Sequence, residues 1–197
     1  CLCLIVLTLW SMPVNAQSSR HVDWIEANGQ LSRVMLSYIK RAVAEAESDG
    51  AAALIIQLNT PGGDSGLMQE IIQAIRASTV PVIVYVAPRG AWAGSAGTLI
   101  TLAGHVAAMS PETAIGAASP IGVGSEGAPQ ELPPTVKQKE VEAIQAVARS
   151  LTTRRSAQAI QLAQDTIEKA TAVSALEAFD AGLIDLVAND KNDLLNQ

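Results

Sequence analysis

Apolar and polar residues follow two different periods along the middle of the chain. Across residues 34–46 apolar side chains recur every three or four positions, which predicts a helix with one buried face. Short apolar runs at residues 53–58 and 80–86 are typical of strands covered on both faces. A second helical pattern, at residues 67–75, lies between these runs. The order predicts βαβ units, an α/β fold with a mainly parallel sheet and flanking helices.

The second half of the chain continues this alternation. The small residues of 91–104 predict a turn that leads into a third helix, and residues 106–109 predict another strand. Residues 122–134 are rich in glycine and proline, and they predict a loop without regular structure that covers a site. Helices are predicted at 139–151 and 156–170. A capping box at Ser174 and Glu177, a C-cap at Gly182 and a last strand at 183–187 complete the pattern.

The first residues differ from the rest. An apolar run at residues 1–10, then Pro13 and the small residue Ala16, predict a secretory signal peptide at residues 1–16, cleaved after Ala16. The run is too short for a spanning helix, which needs roughly twenty apolar residues. No initiator methionine or basic region precedes Cys1, so this signal peptide is predicted to be incomplete at its start. The mature domain, residues 17–197, is therefore expected outside the cytoplasm.

Composition narrows the chemistry. The net charge is −6 and there is no run of Lys or Arg, which argues against a nucleic-acid surface. Both cysteines, Cys1 and Cys3, lie in the predicted signal peptide, so the mature domain would have neither a disulfide nor a thiol nucleophile. With two histidines in the chain, a histidine-rich metal site is excluded. No cofactor is expected.

A Pro61-Gly62-Gly63 segment follows the first buried strand. Consecutive glycines allow the backbone to turn its N–H groups toward a ligand, because no Cβ blocks a positive φ or a close approach. Such donors stabilise the oxyanion that forms when a carbonyl is attacked. Taken alone, such a segment is more often an ordinary turn.

The candidate nucleophile is Ser95, in the segment Gly94-Ser95-Ala96-Gly97 at the start of the predicted third helix. Small neighbours leave an open approach for a substrate, and the helix N-terminus supplies N–H groups and positive partial charge. The alternative is a serine that only caps the helix. The α/β-hydrolase motif needs a glycine where this chain has Ala93, which argues against that fold.

A serine nucleophile needs a base. His105 lies ten residues beyond Ser95, a rise of about 15 Å along a helix, far outside hydrogen-bond reach. His21 has no motif around it, and both histidines are predicted to be structural or surface residues. A neutral lysine can replace histidine in an apolar site. Lys137 and Lys139 follow the predicted loop, and the local pattern alone favours surface lysines at both positions.

Between these lysines, the helical pattern favours Lys139. Lys139, Ala143 and Ala146 share one helix face, predicted to turn inward, whereas Lys137 lies off that face.

The segments that carry a family resemblance run in order through the chain: Leu58-Asn-Thr-Pro-Gly-Gly63, Pro81-Val-Ile-Val-Tyr-Val-Ala-Pro88, Gly94-Ser-Ala-Gly-Thr98, Ala107-Ala-Met-Ser-Pro111, Thr113-Ala-Ile-Gly-Ala117 and Ala178-Phe-Asp-Ala-Gly-Leu-Ile-Asp185. From about residue 22 to 190 the chain resembles the NfeD family of membrane-associated serine proteases of the ClpP class. The resemblance implies the spiral ClpP/crotonase-like fold and assembly into homodimers or larger oligomers.

The resemblance also implies roles for individual residues. Ser95 would be the nucleophile, and the lysine that opens the helix after the loop would be Lys139, with Lys137 close by. Gly62, Gly63 and the N–H of Ala96 would form the oxyanion hole. No histidine lies near residues 117–120, where the ClpP branch has its base, which favours a Ser–Lys dyad.

The implied substrates are hydrophobic peptide segments, such as the C-terminal region of a stomatin-like membrane protein. Many members of the family continue into transmembrane helices and a small β-barrel domain, so the resemblance implies that this chain is a fragment or a short form. Its expected membrane association rests on the family resemblance alone. Two alternatives remain: an acyl-CoA hydratase or isomerase with the crotonase fold, and a non-catalytic scaffold for stomatin-like proteins.

Overall fold

The protein is described by a computed structural model that covers residues 21–123 and 129–197. The predicted signal peptide lies outside the described residues, and so does the middle of the predicted loop. Ten strands and seven helices follow one another in this part of the chain. The strands are β1 (Val22–Asn28), β2 (Ala53–Asn59), β3 (Val82–Val86), β4 (Trp92–Gly94), β5 (Val106–Met109), β6 (Ala114–Gly116), β7 (Gly122–Val123), β8 (Pro129–Gln130), β9 (Ala172–Ser174) and β10 (Leu186–Val187). The helices are α1 (Arg33–Asp49), α2 (Ser65–Ala77), α3 (Ala96–Ala103), α4 (Pro134–Thr152), α5 (Ala157–Glu168), α6 (Ala175–Asp180) and α7 (Lys191–Asn196).

The main sheet has five strands in the order β1-β2-β3-β5-β10, and every neighbouring pair is parallel. Buried Ala, Val, Ile and Leu side chains from α1 to α6 pack against one face of it. Helix α3 is buried along its whole length. The predicted α/β fold with a mainly parallel sheet is confirmed.

The opposite face of the main sheet carries a smaller apolar cluster. Ile55 and Tyr85 are buried there, and Leu194 of α7 covers them. The Tyr85 hydroxyl donates a hydrogen bond to the carbonyl of Ala188 at 2.8 Å, which joins β3 to the chain just before α7. The last helix is thus part of the packing of this face.

A second, three-stranded sheet sits at the carboxyl end of β2. Strand β4 is parallel to β6, which is antiparallel to β9. A parallel bridge between Thr60 and Ala93 joins this sheet to the end of β2. The Thr60 N–H donates to the Trp92 carbonyl at 2.7 Å and the Gly94 N–H donates to the Thr60 carbonyl at 2.9 Å. The residue after β4 therefore lies beside the turn after β2.

Several predicted boundaries are wrong. Helix α4 begins at Pro134, not at residue 139, because a proline fits the first turn of a helix, where its missing N–H is not needed. The ends of the predicted loop pair as β7 and β8. The last strand is only Leu186–Val187, since residues 183–185 form a bend. Strand β1 was not predicted, because Asp23 and Glu26 interrupt its apolar residues without a regular period of two at this edge of the sheet.

The predicted capping box is confirmed: the Ser174 hydroxyl accepts from the N–H of Glu177, and the Glu177 carboxylate accepts from the N–H of Ser174. Within residues 21–123 and 129–197 no helix has both the length and the apolar character that crossing a bilayer requires.

Candidate active site

Ser95 is the single residue between the end of β4 and the start of α3. Its backbone has φ 51° and ψ −120°, a conformation that a residue with a Cβ adopts only at a cost. The residue occupies the N-cap position of α3, but its side chain makes no capping hydrogen bond. Helix capping therefore does not account for this serine. Ser95 is half-buried in this sharp strand–turn–helix and lines a cleft, although Ala93 replaces the first glycine of the α/β-hydrolase motif.

Hydrogen bonds from β6 hold this turn in place. The Ser95 N–H donates to the Gly116 carbonyl at 2.9 Å. The Thr98 hydroxyl oxygen, which is fully buried, accepts the Gly116 N–H at 3.1 Å and lies 3.0 Å from the Ala93 carbonyl oxygen. Thr98 thus ties the first turn of α3 to both strands beside it. No role was predicted for Thr98 from the sequence, and its only signal was a hydroxyl in a helix that is apolar apart from Thr98 and Thr101.

The glycines around Ser95 are required by close approach. A Cβ on Gly62, whose φ is 104°, would lie 2.6 Å from the Cβ of Ser95. A Cβ on Gly97 would lie 2.6 Å from the Cγ2 of Thr60. The Pro-Gly-Gly turn and the serine turn are therefore in direct backbone contact, so the two motifs singled out in the sequence form one site.

The predicted oxyanion-hole donors differ in their hydrogen bonding. The Gly62 N–H donates to the Thr60 hydroxyl oxygen at 3.0 Å, and its carbonyl accepts from Leu31. The N–H groups of Gly63 and Ala96 donate no hydrogen bond within the described part of the chain. In this conformation Gly63 and Ala96 have the uncommitted amides, and Gly62 does not.

A cleft of about 660 Å³ opens in front of Ser95, within the usual range for ligand sites. Apolar side chains from α2, α3 and α4 line it, among them Met68, Leu99 and Ile144. The wall opposite α2 includes the segment after β6, from Ala117 to Gly122. The site can accept an extended, largely apolar ligand next to the serine hydroxyl.

The predicted orientation of α4 is wrong. Ala143 and Ala146 are exposed, whereas the buried residues of α4 are Gln145, Ala148 and Thr152. The larger side chains Val141, Ile144 and Val147 pack on the core, because they remove more apolar area from water than alanine does. The inward face is consequently the one opposite to Lys139.

Both lysines are exposed, but they lie on different sides of α4. Lys137 shares a face with Glu140 and Ile144, which line the cleft, and it lines a smaller cavity that adjoins the cleft at Pro120 and Leu132. Lys139 lines neither cavity. Among the described residues no hydrogen bond joins Ser95 to either amine.

The histidines lie away from the cleft, as predicted. His105 follows the far end of α3, and its Nδ1 accepts the Val82 N–H at 3.0 Å. Partial desolvation and, secondarily, the charge of Arg76 lower the pKa of His105. His21 lies 3.4 Å from the Asp23 carboxylate at the surface. Across the described ranges, no group of three or more His, Cys, Asp and Glu side chains is placed to hold a metal ion.

Comparison with solved structures defines the class of fold. ClpP1 from Listeria monocytogenes superposes with a TM-score of 0.67 over 87% of this chain and 94% of that chain, at 17% identity. The architecture is therefore the ClpP-like α/β fold. The N-terminal domain of NfeD1b matches residues 21–197, and the chain belongs to this family.

Two relatives are similar along most of the chain. The membrane-bound protease PH1510 of Pyrococcus horikoshii is 38% identical over all of this chain and 43% of its own length. A solved lysine-to-alanine variant of the 1510-N membrane-bound stomatin-specific protease, in complex with a substrate peptide, has a TM-score of 0.80 at 38% identity. That match covers 90% of this chain and 79% of the other.

The membrane protein NfeD1b of Bacillus subtilis is 28% identical over 59% of this chain and 26% of its own length. The chain thus spans less than half the length of these curated relatives.

Proposed function

We propose that the chain is a serine endopeptidase with Ser95 as the nucleophile and a lysine of α4 as the base. The observation that carries this proposal is the position of Ser95: a costly backbone conformation, a hydroxyl that caps nothing, and an apolar cleft beside the amides of Gly63 and Ala96. Strained residues persist where the surrounding structure holds them for a function.

The reaction follows from these groups. A neutral lysine amine removes the proton of the Ser95 hydroxyl, and the oxygen attacks a peptide carbonyl. The oxyanion accepts hydrogen bonds from the N–H groups of Gly63 and Ala96, and from Gly62 once its N–H leaves Thr60. The protonated lysine gives its proton to the leaving amine, and water then hydrolyses the acyl-enzyme. No step needs a metal or a cofactor.

Two lysines are candidates for the base. The family resemblance favours Lys139, whereas the position on α4 favours Lys137. Lys139 and Ala148, which is buried, are nine residues apart and so lie on opposite sides of the helix. Lys137 faces the adjoining cavity, whereas Lys139 lines neither that cavity nor the cleft.

The proposed substrates are hydrophobic peptide segments, including the C-terminal region of a stomatin-like protein. The apolar lining of the cleft supports this class, and the name of the 1510-N relative states that it is specific for stomatin. We further propose that the domain acts outside the cytoplasm, next to a membrane, as a homodimer or larger oligomer. PH1510 is named as membrane-bound.

The test combines a fluorophosphonate probe with cleavage of an apolar peptide. Wild type is expected to be labelled at Ser95 and to cleave the peptide, and Ser95→Ala is expected to do neither. Lys137→Met and Lys139→Met keep the side-chain stem and remove the amine. The variant that lacks the base should lose activity about 10²–10⁴-fold, since general-base catalysis contributes that much.

Three outcomes would contradict the proposal. Cleavage that survives Ser95→Ala excludes the serine mechanism. An unlabelled Ser95 together with activity on an acyl-CoA favours a hydratase or isomerase. Binding of apolar peptides without any cleavage favours the scaffold.

A further inference from the structure

The cleft in front of Ser95 is lined by several apolar side chains, and its charged lining residues are acidic. Asp64 and Glu140 both line it, and among the described residues that line it there is no lysine or arginine. Asp64 begins α2 and Glu140 lies in the second turn of α4, so the two carboxylates approach the cleft from different helices. A ligand in the cleft would therefore meet negative charge from two directions.

Neither carboxylate is neutralised within residues 21–123 and 129–197. The ion pairs in this part of the chain, such as Lys40–Glu70 and Arg89–Glu112, include neither Asp64 nor Glu140. Lys137, one turn before Glu140, does not come within 4.0 Å of its carboxylate and faces the adjoining cavity. The negative charge of the cleft is thus available to a bound ligand.

Asp64 is also fixed in direction. Asp64 is the N-cap of α2, and its Oδ1 accepts the N–H of Leu67 at 2.9 Å. Its second oxygen, Oδ2, takes no part in this cap. The carboxylate stands directly after Gly63, whose amide is uncommitted. Glu140 is exposed and one turn of α4 before Ile144, which contributes to the apolar lining.

We propose that Glu140, together with Asp64, makes the cleft select peptides that carry a lysine or arginine beside their apolar stretch. This inference rests on the proposed function, in that the cleft must be the peptide site. A cationic side chain at the edge of the cleft gains Coulomb attraction from both carboxylates, while an acidic one is repelled. Glu140 is then a specificity-determining residue, and it takes no part in the chemistry at Ser95.

Binding to the Ser95→Ala protein tests this without turnover. Two fluorescent peptides share one apolar centre, and one is flanked by lysines and the other by glutamates. We expect the lysine peptide to bind about fivefold more tightly at low ionic strength, and the ratio to shrink at high salt, because partly exposed charges are screened. Glu140→Gln should reduce the ratio toward one, and Glu140→Lys should reverse it.

The matched control is Glu142→Gln, introduced into the same Ser95→Ala protein. It changes the net charge of −6 by the same amount, but Glu142 is exposed and does not line the cleft. If Glu142→Gln lowers the ratio as much as Glu140→Gln does, the overall charge causes the preference and the proposal is overturned. A ratio near one for the parent protein, or no binding of either peptide, overturns it as well.

Hydrolysis by the wild-type protein separates this inference from the proposed function. If wild type cleaves neither peptide while the binding ratio still depends on Glu140, the protease assignment fails and the charge selection stands. If wild type cleaves both peptides with equal kcat/KM and the binding ratio is near one, the protease assignment stands and the charge selection fails.

Discussion

Ser95 and its immediate neighbours show how much of a catalytic site depends on backbone conformation. The residue sits in a positive-φ turn, and the backbone of Gly62 packs against its Cβ. Thr98 and Gly116 hold the turn from the other side. The position of the serine hydroxyl is therefore set by contacts in which no side chain longer than threonine takes part.

Gly62→Ala is expected to abolish peptide cleavage and fluorophosphonate labelling. The new Cβ would lie 2.6 Å from the Ser95 Cβ and 2.9 Å from the Gly94 carbonyl oxygen, so the serine turn must move. A displacement of about 1 Å at a reacting group can cost on the order of 10²-fold in rate. The labelling rate is the direct measurement.

The matched control is Gly90→Ala. Gly90 has a φ of 82°, so alanine is strained there too, but no other atom lies within 4 Å of the added Cβ. If Gly90→Ala lowered the labelling rate as much as Gly62→Ala, general backbone strain and not the contact with Ser95 would be responsible.

The residue types of the site were predictable, but the side of α4 was not. Ser95 and the Pro-Gly-Gly segment stand in recognisable local patterns, although a helix cap and an ordinary turn produce the same patterns, and the family resemblance singled them out. The face of α4 depends on which apolar residues reach the core. Ile144 and Val147 outweigh Ala143 and Ala146 there, and a stripe of alanines gave the opposite answer.

At the scale of elements, β3 and α3 meet at His105. Its Nδ1 accepts the N–H of Val82 at the start of β3, so this nitrogen carries no proton in the native state. The pKa of His105 is lowered, which likewise favours the neutral ring. Desolvation is the main cause, and the charge of Arg76 adds to it. The link between these two elements is thus sensitive to pH.

The free energy of unfolding is expected to fall as the pH drops below about 6.5, the usual pKa of an unfolded histidine. A group whose native pKa is lowered binds its proton more readily in the unfolded chain, so acid favours unfolding. Urea unfolding of wild type and His105→Asn at pH 7.5 and 5.5 is the measurement, because asparagine keeps an acceptor and does not titrate. Equal losses in both proteins would contradict this role of His105.

The three strands of the second sheet were not predicted from the sequence. Strands β4, β6 and β9 have three residues each, too few for a period to be recognised. The longer elements were predicted close to their observed bounds, α1 and α2 from a helical period and β2 from a continuous apolar run. The second sheet, which positions Ser95, therefore became visible only in the structure.

Considered as a whole, the molecule depends on its last helix to cover one face of the main sheet. Parallel sheets are normally covered on both faces, and α7 provides this cover over Ile55 and Tyr85 through Leu194. A substitution in α7, far from Ser95, should therefore change the free energy of unfolding of the whole domain.

Leu194→Ala is expected to lower the free energy of unfolding by about 2–3 kcal/mol, because a buried leucine loses its packing and leaves a cavity. Leu195→Ala is the adjacent control, since Leu195 is 47% exposed and Leu194 only 8%. Urea unfolding of both variants gives the comparison. Equal effects of the two substitutions would show that α7 does not pack as described.

The positive φ of Ser95 also has a consequence for the evolution of this molecule, because catalysis and stability make opposite demands on that position. A backbone cost on the order of 1–3 kcal/mol is retained there to present the hydroxyl. Ser95→Gly should remove this backbone cost, because glycine adopts a positive φ without strain. The added glycine also makes the unfolded chain more flexible, which costs about 0.5–1 kcal/mol of stability, and we expect this loss to be the smaller of the two effects. The inactive glycine variant is therefore expected to melt at a higher temperature than Ser95→Ala, which keeps the Cβ. Loss of activity would then be accompanied by a gain in thermal stability. In organisms that no longer need the enzyme, this trade-off would favour a more stable, inactive protein.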